Sequence, residues 1–223
     1  MSRLKKPELV LIDVDGTLID SVPDLAYCAD RMMLQIGLPE RGEEAVRQWV
    51  GNGVEKLVKR TLVNDLNGEP DADLFEKALP VFWGLYENNI CVRSRLYDGV
   101  IEGLDYLKSR GYRLGCVTNK ARSFTIPLLE QIGIAPYFDV SICGDDTARK
   151  KPDPLPLITA AGEFKVAAED SLMLGDSKSD VQAARAAGFQ IICVSYGYNH
   201  GEDIRRYEPD AVIDSMVELK DLI

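Results

Sequence analysis

Two hydrophobic rhythms alternate along most of this chain. The stretch "LVLID", Leu9 to Asp13, is an unbroken apolar run closed by a carboxylate. That is the pattern of a strand covered on both faces. Short apolar runs at Arg113–Val117, Val140–Cys143, Leu172–Leu174, Ile191–Val194 and Ala211–Ile213 predict further strands. Between them, apolar residues recur at helical spacing over Ile101–Arg110, Ser123–Ile132, Pro154–Phe164 and Asp180–Ala187. Gly111, Gly133 and Gly188 stand where three of these helices should stop, as a left-handed C-cap requires. Strand and helix in alternation predict an α/β fold, a Rossmann-like doubly wound parallel sheet.

The stretch from 20 to 95 breaks that alternation. It shows helical patterns at Asp24–Ile36, Glu43–Val50, Val54–Leu62 and Asp71–Glu87, and no strand pattern. The expected organisation is an α/β core formed by residues 1–19 and 96–223. A small all-α lobe, residues 20–95, is inserted after the first strand.

Composition narrows the partners. The 223 residues are 46% hydrophobic, enough for a sizeable core, and the formal net charge is −10. Nucleic acid and anionic membrane surfaces call for clustered Lys and Arg, so neither is expected as a partner. No run approaches the ~18 apolar residues of a membrane span. The N-terminal stretch lacks the long apolar segment of a signal peptide. Five cysteines, none in a Cys-x-x-Cys pair, read as reduced thiols of a cytoplasmic protein. The oligomeric expectation is a monomer or a homodimer.

In an open parallel sheet, ligands bind beyond the carboxyl ends of the strands. The residues at those ends are Asp13-Val14-Asp15-Gly16-Thr17, then Thr118-Asn119-Lys120, then Lys150-Lys151 on a loop, then Gly175-Asp176 with Asp180 just after. Several carboxylates converging on one spot repel each other unless a divalent cation lies among them. Oxygen ligands without His or Cys suit magnesium. A lysine and a hydroxyl beside such a cation form a phosphate-binding set. Asp13 and Asp15, two apart in extended chain, point the same way. One can attack phosphorus while the other handles the leaving-group proton. Gly16 permits a tight turn, and Thr17 is expected to hydrogen-bond Asp15 and orient it.

The four stretches, in this order, resemble the haloacid dehalogenase superfamily, and the inserted helices resemble that family's small α-helical cap. The resemblance implies Asp13 as nucleophile and Asp15 as general acid/base. It implies that Thr118, Asn119 and Lys151 hold the phosphoryl group. It also implies that Mg2+ is bound by Asp13, the backbone carbonyl of Asp15 and Asp176, with Asp180 behind them or joined through water. "DVDGTLIDSVPDLA", "WVGNGVEKLVKRTL" and "VSYGYNHGEDI" are similar to the phosphoglycolate phosphatase branch. That branch implies 2-phosphoglycolate as the small phosphorylated substrate. Gly51, Asn52 and Gly53 would then close over its carboxylate, with Arg47, Lys56 and Arg60 nearby.

Other members sharing the four motifs stay open as alternatives: pyrophosphatases, nucleotide or sugar phosphatases, and β-phosphoglucomutase-like phosphotransferases. A dehalogenase needs no acid at the position of Asp15. A phospho-acceptor receiver domain has about half this length and no helical insert. A pseudo-enzyme that only binds a phosphorylated ligand sits poorly with intact Asp13, Asp15, Lys151 and Asp176.

Overall fold

The computed structural model describes residues 4–223; residues 1–3, at the start of the expected core segment, lie outside the described residues. Six parallel strands form the central sheet: β1 (Leu9–Ile12), β4 (Arg113–Val117), β5 (Val140–Ile142), β6 (Ser171–Gly175), β7 (Gln190–Val194) and β8 (Ala211–Ile213). Their spatial order is β5-β4-β1-β6-β7-β8. In the centre, β1 pairs Leu9–Ile12 with Arg113–Cys116 on one edge and with Ser171–Leu174 on the other. The unbroken apolar run has its reason here. Val10 and Ile12 enter one core, Leu9 and Leu11 the other, and all four are fully buried.

Helices cover both faces. Helices α5 (Val100–Ser109) and α6 (Arg122–Gln131) pack on the Val10 and Ile12 side. Helices α7 (Leu155–Phe164) and α8 (Lys178–Ala187) pack on the Leu9 and Leu11 side. A short α9 (Leu219–Leu222) follows β8. Gly188 is the left-handed C-cap of α8, with φ 78°. The start of α8, two residues before its expected position, is set by a capping box in which Ser177 and Asp180 bond each other's backbone.

Four helices fill the chain after β1: α1 (Val22–Gln35), α2 (Glu43–Arg47), α3 (Val54–Val63) and α4 (Ala72–Glu87). They are flanked by two strands that the sequence reading left out, β2 (Ile19–Asp20) and β3 (Arg95–Leu96), which pair antiparallel as Ile19↔Leu96 and Asp20↔Arg95. Two residues are too few to show alternation. The outgoing and returning chains therefore lie side by side. Buried Asp24, in the first turn of α1, fastens them further. Its carboxylate accepts the backbone N–H groups of Arg93 and Ser94 and the Ser94 hydroxyl, and it pairs with the Arg93 guanidinium at 3.3 Å. The helices share one apolar core with the α5/α6 face of the sheet. Phe124 of α6 meets Trp83 and Tyr86 of α4 at centroid distances of 4.5 and 4.8 Å.

Among the described residues, no helix is long and apolar enough to cross a membrane.

Candidate active site

The carboxyl ends of β1, β4 and β6 meet at one spot, and each delivers a charged or polar group there. The chain leaves β1 with Asp13, leaves β4 with Thr118 and Asn119, and leaves β6 with Asp176. A loop from the far side brings in Lys151, whose side chain is 1% exposed. Its ammonium lies 3.0 Å from Asp13 Oδ1 and 2.8 Å from Asp180 Oδ1, and it donates to the Val117 carbonyl at 2.8 Å. Burial alone would lower the Lys151 pKa; Asp13 and Asp180 outweigh it and hold the group charged. Lys150, next in the chain, is exposed. Of the two lysines, Lys151 is the one built into the site.

Asp13, Asp176 and Asp180 each offer a carboxylate oxygen, and the three atoms all lie within 4.8 Å of one another. Burial pushes the Asp13 carboxyl up to about 7, with Lys151 opposing and Asp180 adding to the rise. Burial, then Asp180 and Asp13, push Asp176 well above the usual carboxylate range. Four carboxylates, those of Asp13, Asp15, Asp176 and Asp180, face two ammonium groups, those of Lys120 and Lys151. The two negative charges left over are what one divalent cation balances, and an all-oxygen donor set suits a hard one. The backbone gives way to these groups: a Cβ on Gly16 or Gly197 would fall inside contact distance of Asp176.

Thr17 does not orient Asp15. Gly16 takes a left-handed φ of 86°, which swings the next side chain to the other side of the turn. The Thr17 hydroxyl donates to Asp176 Oδ1 at 2.9 Å. Asp15 is instead held by the Ser21 hydroxyl at 2.5 Å and by Lys120, whose Nζ reaches both carboxylate oxygens at 3.0 and 3.1 Å. Lys120 is buried, with its ammonium 4.8 Å from the centre of the Tyr86 ring on α4. The sequence reading had Lys120 at a strand end but gave it no role. Its partner lies 105 residues away in the chain, and no local pattern marks that pairing.

Asp13, Asp15, Thr118, Asn119 and Lys120 form one wall of a narrow cleft. The opposite wall comes from the inserted helices and is apolar apart from backbone: Leu25, Val50, Val54 and Leu57, with Gly51 and Gly53. Asn119 ties the two walls together, since its amide donates to the Gly51 carbonyl at 3.1 Å and to the Lys151 carbonyl at 2.9 Å. Asn52, grouped with Gly51 and Gly53 in the sequence reading, is not on this cleft. It accepts from Arg60 at 2.8 Å. That buried guanidinium also donates to the Trp49 and Leu66 carbonyls and needs a third acceptor. Arg47 and Lys56 are engaged as well, with Asp20 and Glu43, and with Glu69.

One further residue gains a role. Tyr198 donates its backbone N–H to Asp176 and its hydroxyl to Asp20, and its ring lies 5.4 Å from the Arg47 guanidinium. Within "VSYGYNHGEDI" the sequence offered no sign of which tyrosine turned inward.

Comparison with known proteins agrees with this geometry. The profile of the haloacid dehalogenase-like hydrolases matches residues 10–194. A phosphoglycolate phosphatase of Nitrosococcus oceani is 61% identical over 99% of this chain and 98% of its own. One from Nitrosospira multiformis is 48% identical over 96% and 94%. The crystal structure of a predicted phosphoglycolate phosphatase from Haemophilus somnus superposes with a TM-score of 0.92 at 33% identity, covering 98% of both chains. With a family profile spanning residues 10–194 and relatives matched over nearly the whole length, the chain belongs to the haloacid dehalogenase-like hydrolase family.

Proposed function

We propose that this protein is a magnesium-dependent phosphatase that hydrolyses 2-phosphoglycolate to glycolate and phosphate. The observation that carries the reading is the pair Asp13 and Asp15 on one cleft wall, each with its own buried lysine, Lys151 and Lys120. Two carboxylates so placed can divide the work of nucleophile and acid/base. The relatives named phosphoglycolate phosphatase support the choice of ester.

In the first half of the reaction, Asp13 attacks phosphorus and forms an aspartyl-phosphate. The bond from phosphorus to the glycolate oxygen breaks, and Asp15 gives that oxygen its proton. In the second half, Asp15 takes a proton from water, the water oxygen attacks phosphorus, and the bond to Asp13 breaks. Thr118, Asn119 and Lys151 hold the phosphoryl oxygens. Asp13, Asp176 and the backbone carbonyl of Asp15 would hold Mg2+, which when bound neutralises charge on the phosphate. Asp180, whose oxygens already accept from Lys151, Ser177 and the Asp176 N–H, organises these groups from behind. Residues 20–95 act as a cap over the core of 1–19 and 96–223, and their apolar wall sheds water from the cleft. The five free cysteines suit a reducing cytoplasm.

The test is phosphate release from 2-phosphoglycolate, pyrophosphate, a nucleoside monophosphate and β-glucose 1-phosphate, with and without Mg2+. A strong preference for 2-phosphoglycolate, abolished by EDTA and restored by Mg2+, is the expected result. Preferential release from pyrophosphate or β-glucose 1-phosphate would overturn the substrate.

A further inference from the structure

A phosphatase for 2-phosphoglycolate must recognise a carboxylate two carbons from the oxygen that leaves phosphorus. The cationic groups of the inserted helices are turned elsewhere: Arg47 is held by Asp20 and Glu43, Lys56 by Glu69, and Arg60 by backbone carbonyls and Asn52. The cleft wall they leave is apolar. Lys151 stands between Asp13 and Asp180, on the side of the site assigned to the phosphoryl group. Lys120 lines the cleft itself.

We propose that Lys120, from the sheet and not from the cap, is the residue that selects substrates whose leaving alcohol carries a carboxylate. This inference rests on the function proposed above. Asp15 protonates the departing oxygen, so a cation 3.0 Å from Asp15 on the same wall stands next to the carbon that carries the carboxylate. An ammonium has three N–H donors, and Asp15 occupies at most two. The remaining donor faces Tyr86, a weaker partner that a ligand carboxylate can displace. The charge is also needed there. Once Asp15 has given up its proton, it and the glycolate carboxylate would otherwise meet across the cleft with nothing between them, and like charges repel strongly away from bulk water. The Tyr86 ring face beneath Nζ keeps the ammonium in place and adds its own attraction. A neutral leaving group of the same size gains nothing from this arrangement and leaves Lys120 to Asp15 alone.

The competing cation is Lys150. Its Nζ lies 3.2 Å from where a Cβ on Gly53 would stand, yet it is exposed and lines a separate groove with Asn52 and Arg60. The experiment therefore compares kcat/KM for 2-phosphoglycolate with kcat/KM for ethyl phosphate, which has the same carbon count and no carboxylate. It is run in the wild type, Lys120→Met and Lys150→Met. Loss of one charged hydrogen bond predicts that the ratio of the two values falls roughly 10- to 100-fold in Lys120→Met. It stays near the wild-type value in Lys150→Met. Lys120→Gln, which keeps a donor and loses the charge, carries the same comparison should the Met variant not fold.

A Lys120 variant that slows both esters by the same factor overturns the proposal and leaves Lys120 as a residue that only positions Asp15. A ratio that collapses in Lys150→Met overturns it as well and moves the selection to the other lysine. A wild type with no preference for 2-phosphoglycolate over ethyl phosphate defeats the substrate reading itself, and this inference with it.

Discussion

At the scale of single residues, Thr17 separates two accounts of the site. Its hydroxyl serves Asp176 and not Asp15. Thr17→Val is therefore expected to raise the Mg2+ concentration for half-maximal activity by about tenfold, the usual effect of losing a hydrogen bond that orients a ligand. At saturating Mg2+ the turnover should largely recover. A fall in kcat that excess metal does not repair would instead mean that Thr17 acts on the acid/base. On the proposed mechanism Asp13→Asn has a simpler expectation: no turnover, and no label retained on the protein from 32P-labelled substrate, because an amide is too weak a nucleophile to attack phosphorus. The sequence made Asp13, Asp176 and Lys151 legible because each sits at a strand end or in a motif. It misdirected Thr17 because alternation along extended chain stops at a glycine with φ 86°. Lys120 and Tyr198 were illegible as site residues for a different reason. Their partners, Asp15 and Asp20, are contributed by distant chain.

At the scale of elements, long periodic segments were readable and short ones were not. The six sheet strands and the eight longer helices were expected within a few residues of where they lie. The exception is α2, which stops at Arg47 and not Val50. Trp49 and Val50 leave the helix and are buried, and Val50 lines the cleft. The β2–β3 pair was missed because four residues in two pieces carry no rhythm. The same region holds the element-scale prediction. Asp24 is fully buried and gathers its hydrogen bonds from the returning chain at Arg93 and Ser94. Asp24→Ala strands those donors and should destabilise the protein by about 3 kcal/mol. Urea unfolding should show a lower midpoint. A midpoint within experimental error of the wild type would mean that the linkers are held by packing alone.

At the scale of the whole molecule, the inserted helices and the sheet are joined by polar contacts around one aromatic residue. Tyr198 links Asp176 at the centre of the site to Asp20 at the crossing and to Arg47 on α2. Nearby, His200 Nδ1 meets the Gln48 carbonyl at 2.7 Å. Tyr198→Phe keeps the ring and the backbone bond to Asp176 and removes only the hydroxyl. The expected outcome is a several-fold change in KM and kcat together, as for residues that govern closure of one lobe on another. Limited proteolysis should also cut faster near residues 20 and 95. Unchanged kinetics and unchanged cleavage would show that the hydroxyl contributes nothing to closure.

The pairing of Ile19 with Leu96 has an evolutionary consequence. Paired residues on antiparallel strands stand about 5 Å apart, so the segment between them begins and ends at nearly the same point in space. Such a segment can be lengthened, shortened or replaced by an unrelated one without stretching the sheet that carries the chemistry. If Lys120 does the selecting, such an exchange would change how large a molecule is admitted. The taste for an acidic leaving group would stay behind with the sheet.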